Sequence, residues 1–165
     1  MLQEDFERPR GAMAHLALAC TVIAGTALLC IALVQLWQVF TRYVLNDSPG
    51  WTEPVTLLLL STAMMFAAAA GVRGNAHFGF FVLLHALPPR AQRVLQAFAA
   101  LVAAGIGGLL LVCGAQLAAG DWTVAMPGTQ LPQGMLYVPL SLGGGLMALF
   151  ALERVVTVLR APAEG

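Results

Sequence analysis

Four stretches of this chain are each long and apolar enough to cross a lipid bilayer, and that pattern restricts its fold more than any other feature. A spanning helix needs about 20 mostly apolar residues. Runs of this kind lie at about 12–40, 55–72, 94–119 and 135–157. Inside hydrocarbon every backbone N–H and C=O must be paired within the protein, so a run of this length is expected as a helix. The expected fold is therefore an all-α integral membrane protein, a single membrane domain covering residues 1–165, with four transmembrane helices. At about 1.5 Å per residue the first run would reach about 43 Å against about 30 Å of hydrocarbon, so it must tilt or project. It is too long for the apolar part of a signal peptide, and Glu4, Asp5 and Glu7 precede it, so it is read as a retained anchor.

Composition supports this class and excludes others. Hydrophobic residues make up 59% and charged residues 10% of the chain, where a soluble domain has about 45–50% and about 25%. All eight basic residues are arginines, and eight acids balance them. A net charge of zero provides no basic face for nucleic acid, so no nucleic-acid partner is expected.

The arginines also orient the chain. Arg8, Arg10, Arg73, Arg90, Arg93, Arg154 and Arg160 fall on one side of a four-span arrangement, and Arg42 alone on the other. The positive-inside rule then places both termini in the cytoplasm, with the segments around 41–54 and 120–134 outside. Between the second and third spans, residues 73–93 carry an apolar middle too short to cross. A glycine at 74 and prolines at 88 and 89 bound it. A short interfacial helix on the cytoplasmic side is expected there.

Charges within spans usually mark ion or proton pathways. Here Arg42, Glu53, Glu153 and Arg154 sit at span ends, and the middles hold only neutral polar residues such as Gln35, Ser61, Thr62 and Ser141. No paired helix break of the kind that builds transporter ion sites interrupts a span. Haem would need facing histidines within the spans, and His15, His77 and His85 lie elsewhere. No catalytic, cofactor or metal site is expected, and the chain is read as not an enzyme. The glycines at 105–108 and 143–145 lie inside spans and are read as helix-packing residues, with Ala104 and Gly108 the clearest small-xxx-small pair.

The most informative segment is QVFTRYVLNDSPGWTEP, residues 38–54. Arg42, Tyr43, Asn46, Trp51 and Glu53 are the candidate outer-loop or subunit-interface residues. Tyr43 and Trp51 also suit an aromatic belt at the headgroup level, and Asn46 suits a turn. On the other side, Arg73 and His77 within GVRGNAHFGF are candidates for contact with lipid or a partner subunit.

These segments, followed by LPPRAQRVLQ leading into the third span and LPQGMLYVPLSLGGGLMAL opening the fourth, resemble in order and spacing the small, DctQ-type membrane subunit of tripartite ATP-independent periplasmic (TRAP) transporters. The resemblance runs from about residue 12 to 159. It departs at Pro54, where the family often has a second acid, and at residues 78–84, where an aspartate is common and this chain has no charge. The resemblance implies an accessory or scaffold subunit that carries no substrate itself. Its implied partners are a large multi-span permease subunit, which moves organic acids and coupling sodium, a periplasmic solute-binding protein, and membrane lipids. The alternative is a membrane anchor or assembly subunit of an unrelated membrane complex.

Overall fold

A computed structural model of the chain describes residues 11–73 and 89–160. It contains four long helices: α1 (Ala12–Tyr43), α2 (Thr52–Arg73), α3 (Pro89–Gly120) and α4 (Val138–Arg160), the last entered through a 3-10 turn at Gln133–Tyr137. The four stretches long and apolar enough to span are Ala12–Tyr43, Thr52–Arg73, Val94–Gly120 and Gln133–Val158. The interfacial helix expected between the second and third spans falls largely on residues outside those described, His77 among them. Pro89 opens α3, where its missing N–H costs nothing because the first turn leaves its amides unpaired in any case.

Several threonines in the spans are satisfied within their own helix. Thr21 donates to the Ala17 carbonyl, Thr26 to Val22, Thr62 to Leu58 and Thr157 to Glu153, all one turn back. The hydroxyls are thereby satisfied without a partner helix.

The helices stand in a row, not a closed ring. Extensive contacts join α1 to α2, α2 to α4, and α4 to α3, giving the spatial order α1–α2–α4–α3. One end of the row holds the start of α1 and the end of α4, and is called the terminal end below. The opposite end carries the α1–α2 and α3–α4 connections and is called the loop end.

Lipid tails are as apolar as leucine, so association inside a membrane rests on close packing and interhelical hydrogen bonds. The glycines show where that packing is tightest. A Cβ on Gly107 would sit 2.6 Å from the Ala148 backbone nitrogen, one on Gly114 2.8 Å from that of Ser141, and one on Gly144 2.9 Å from the Gly107 carbonyl oxygen. The antiparallel α3–α4 seam is thus backbone against backbone, and the Ser141 hydroxyl adds a 3.0 Å bond to the Leu111 carbonyl across it. Gly143, one residue before Gly144 and about 100° around the helix, faces α2 instead: its Cβ would lie 2.6 Å from that of Met65. Gly108 has open space around it. The packing pair expected at Ala104 and Gly108 is therefore corrected: Ala104 packs against a buried cluster but Gly108 does not enter the seam, and the α3 glycines that do are Gly107 and Gly114.

Near the terminal end Cys20 of α1, Ala69 and Val72 of α2, Ala103 of α3, and Phe150 and Ala151 of α4 form one buried cluster. Elsewhere the row is thin. Only 17–28% of each spanning window is buried within the chain, which leaves most of the span surface to lipid or a partner.

Candidate functional site at the loop end

Two connections meet at the loop end. The first follows the last turn of α1, where the Val44 amide donates to the Phe40 carbonyl at 2.8 Å. Asn46 then takes a positive φ of 51°. That left-handed conformation is costly for most residues and tolerated by asparagine, which gives this position a backbone reason of its own. The chain returns so that the Asp47 amide reaches the Thr41 carbonyl at 3.1 Å. Thr52 is fully buried and its hydroxyl donates to the Pro49 carbonyl at 2.9 Å. Pro54 lies in the first turn of α2, a position that proline tolerates. Below the loop, Gln35 of α1 donates to the Thr56 hydroxyl of α2 at 3.0 Å, tying the two helices together.

The second connection is folded on itself. Ala125 and Pro132 form an antiparallel bridge. The Met126 amide donates to Leu131 at 2.9 Å and the Gln133 amide to Val124 at 2.7 Å. Met126 is buried beneath, and the Gly134 amide donates to the Asp121 carbonyl at 3.1 Å. Where the connections touch, Gly50 meets Gly128. Gly128 has φ 78°, and any Cβ there would run into the Gly50 carbonyl. A Cβ on Gly50 would lie 3.2 Å from the Gly128 Cα. The loop end is therefore a preformed cap with two glycines at its joint.

The cap presents an apolar and aromatic surface. Tyr43 is 79% exposed, Val44, Leu45, Trp51, Trp122 and Val124 are also exposed, and Arg42, Asn46 and Glu53 are exposed beside them. All five outer-loop candidates thus lie on one end of the molecule. Arg42 and Glu53 do not pair. Among the described residues the ion pair within 4 Å joins Arg73 of α2 to Glu153 of α4, Nε to Oε2 at 3.6 Å. Sequence reasoning placed both residues at span ends on the same side but did not join them. The signal was available, since α2 and α4 both end there, with Arg73 in the last turn of one and Glu153 about two turns from the end of the other. Among the described residues no group of three or more His, Cys, Asp or Glu side chains is gathered as for a metal ion.

Four apolar helices with charges confined to their ends define a multi-pass membrane protein. Comparison with known proteins specifies the class. The family described as "Tripartite ATP-independent periplasmic transporters, DctQ component" matches residues 31–161, most of the chain. A putative TRAP transporter small permease protein of Haemophilus influenzae is 22% identical over 156 residues, 87% of this chain and 92% of that one. The sialic acid TRAP transporter small permease protein SiaQ of Vibrio cholerae is 22% identical over 139 residues, 84% of this chain and 80% of that one. The chain belongs to the DctQ family and is a small subunit of a TRAP transporter, a multi-pass protein of the bacterial inner membrane. The family is a transporter component, not an enzyme family.

Proposed function

We infer that this subunit acts as an immobile scaffold for uptake of organic acids, working with a large permease subunit in the membrane and a periplasmic solute-binding protein. The observation that carries the reading is the row of helices. Its spans have no charge in their middles, so the chain offers no polar route for a substrate or ion. Its faces are largely bare, so it offers a wall against which another membrane protein can pack. The arginine bias supports a cytoplasmic terminal end and a periplasmic loop end. In that orientation the cap bearing Arg42, Tyr43, Asn46, Trp51 and Glu53 faces the binding protein, and Arg73 lies at the inner headgroup level. The Vibrio cholerae relative is named for sialic acid, a carboxylate, which supports organic acids as the substrate class.

The test is reconstitution with and without partners. Uptake of a labelled carboxylate into proteoliposomes is expected only when the large subunit and binding protein are present, and the large subunit is expected to co-purify with this chain. Sodium-driven uptake by this chain alone would overturn the scaffold reading. Orientation is checked separately by a reporter active only in the periplasm: fusions after Gly50 or Thr129 are expected to be active, and a fusion at Gly165 silent.

A further inference from the structure

We propose that a cleft at the terminal end, between α2, α3 and α4, holds the phosphodiester of a membrane glycerophospholipid. The cleft measures about 390 Å³ and is lined by Arg73 from α2, Gln96 from α3, and Phe150, Glu153, Arg154, Thr157 and Val158 from α4. The α4 residues recur at i, i+3, i+4, i+7 and i+8, so one stripe of that helix forms a wall. The stripe begins at the fully buried Phe150, carries the polar groups of Glu153, Arg154 and Thr157 about one to two turns on, and ends at Val158. An apolar inner end followed by charged groups near the helix end suits a lipid, whose glycerol and acyl part meets hydrocarbon and whose phosphate lies at the interface.

Among the described residues the charges in the cleft are not used up. Arg73 and Arg154 face one carboxylate, Glu153, which leaves one formal positive charge. The Arg73 Nε is 3.6 Å from the Glu153 Oε2, too far for a hydrogen bond, and that buried nitrogen has no hydrogen-bond partner among the described residues. Arg154 makes one long contact, 3.4 Å from Nη1 to the Val72 carbonyl in the last turn of α2. A guanidinium has five N–H donors in a fork that suits phosphate. The donors left over, with the Gln96 amide beside them, form a recognition set for phosphate oxygens. Free phosphate shares that chemistry but would make no use of the apolar inner end at Phe150. The proposal depends on the membrane location of the chain and not on its role in transport.

The experiment uses the full chain in a non-ionic detergent, with phosphatidylglycerol titrated in and binding read by native mass spectrometry and by the thermal midpoint. One lipid is expected to bind with a stabilising shift, whereas diacylglycerol with the same acyl chains produces none. Arg154→Ala and Arg73→Ala are each expected to weaken binding about tenfold, the scale of one charge-assisted hydrogen bond. Arg154→Lys is expected to retain part of it. Glu153→Gln removes the competing carboxylate and is expected to tighten binding by about two- to fivefold, a gain that misfolding cannot imitate. Equal affinity in the parent and all three alanine and glutamine variants would overturn the proposal. So would an equal stabilising shift from inorganic phosphate at millimolar concentration, which would make the cleft a free-anion site. Loss of the co-purifying large subunit in Arg154→Ala with lipid binding unchanged would also overturn it, marking the cleft as a protein contact.

Discussion

The α3–α4 seam and the α1–α2 pair are both antiparallel contacts between helices consecutive in sequence, and they are built differently. Across α3 and α4, Gly107, Gly114 and Gly144 let the backbones touch, and Ser141 bonds to a carbonyl of the opposite helix. Across α1 and α2 the contact uses small side chains and the single bond from Gln35 to Thr56, and Gly25 of α1 faces open space. Leu29, Leu33 and Leu36 of α1 are each about two-thirds exposed. The difference separates a spine held by the chain itself from a flank whose apolar surface is left for lipid or another protein. In water such a flank would collapse onto the core. In a bilayer its exposure carries no hydrophobic penalty, so it can remain available.

The sharpest way to break this contrast is to put side chains on glycines of the two kinds. Gly107→Leu and Gly144→Leu force side-chain atoms into opposing backbone and are each expected to cost at least about 1–3 kcal/mol. Gly108→Leu on the same helix and Gly25→Leu on α1 enter open space and are expected to lie within about 0.5 kcal/mol of the parent. The thermal midpoint in detergent is the readout. Equal losses at all four positions would mean that the seam is no tighter than the flank.

A smaller effect is expected where the two halves meet at the loop end. Gly128→Ala must hold alanine at φ 78° and push against the Gly50 carbonyl, at an expected cost of about 1–3 kcal/mol confined to the cap. Hydrogen exchange should then quicken at the Met126 and Gln133 amides while the helices keep their protection. Gly50→Ala, with its Cβ at 3.2 Å, is expected to do the same more weakly.

The smallest effect concerns Arg42 and Glu53. Both are exposed and unpaired, so Arg42→Ala and Glu53→Ala are expected to add in the isolated chain within about 0.3–0.5 kcal/mol of unfolding free energy. A clear departure from additivity would show that they pair in solution. Non-additivity that appears only in transport by the assembled complex would instead join them through a partner.

Much of the architecture could be read directly. The four spans and the small-subunit family follow from apolar run length and the order of a few motifs. The loop-end candidates were also legible, because Arg42, Tyr43, Asn46, Trp51 and Glu53 lie within twelve residues of one another and a short connection must hold them together. Asn46 shows how a family-like residue can have a local cause, since its left-handed φ suits asparagine whatever else it does. The packing register was not legible. Ala104 with Gly108 and Gly107 with its neighbours fit the same spacing rule, and only the approach of α4 distinguishes them.

The sequence by itself therefore determined that this chain crosses a membrane four times, because burying some twenty apolar residues in hydrocarbon as a helix depends on local composition alone. It also confined charge to the span ends, since ionised groups are expensive anywhere else. Which face of each helix meets which neighbour was left to the tertiary structure. Lipid and protein interiors are equally apolar, so hydrophobic periodicity marks no inward side. The row order α1–α2–α4–α3, the division of Gly143 and Gly144 between two different neighbours, and the meeting of Arg73 with Glu153 arise only when separate helices are brought within a few ångströms of one another.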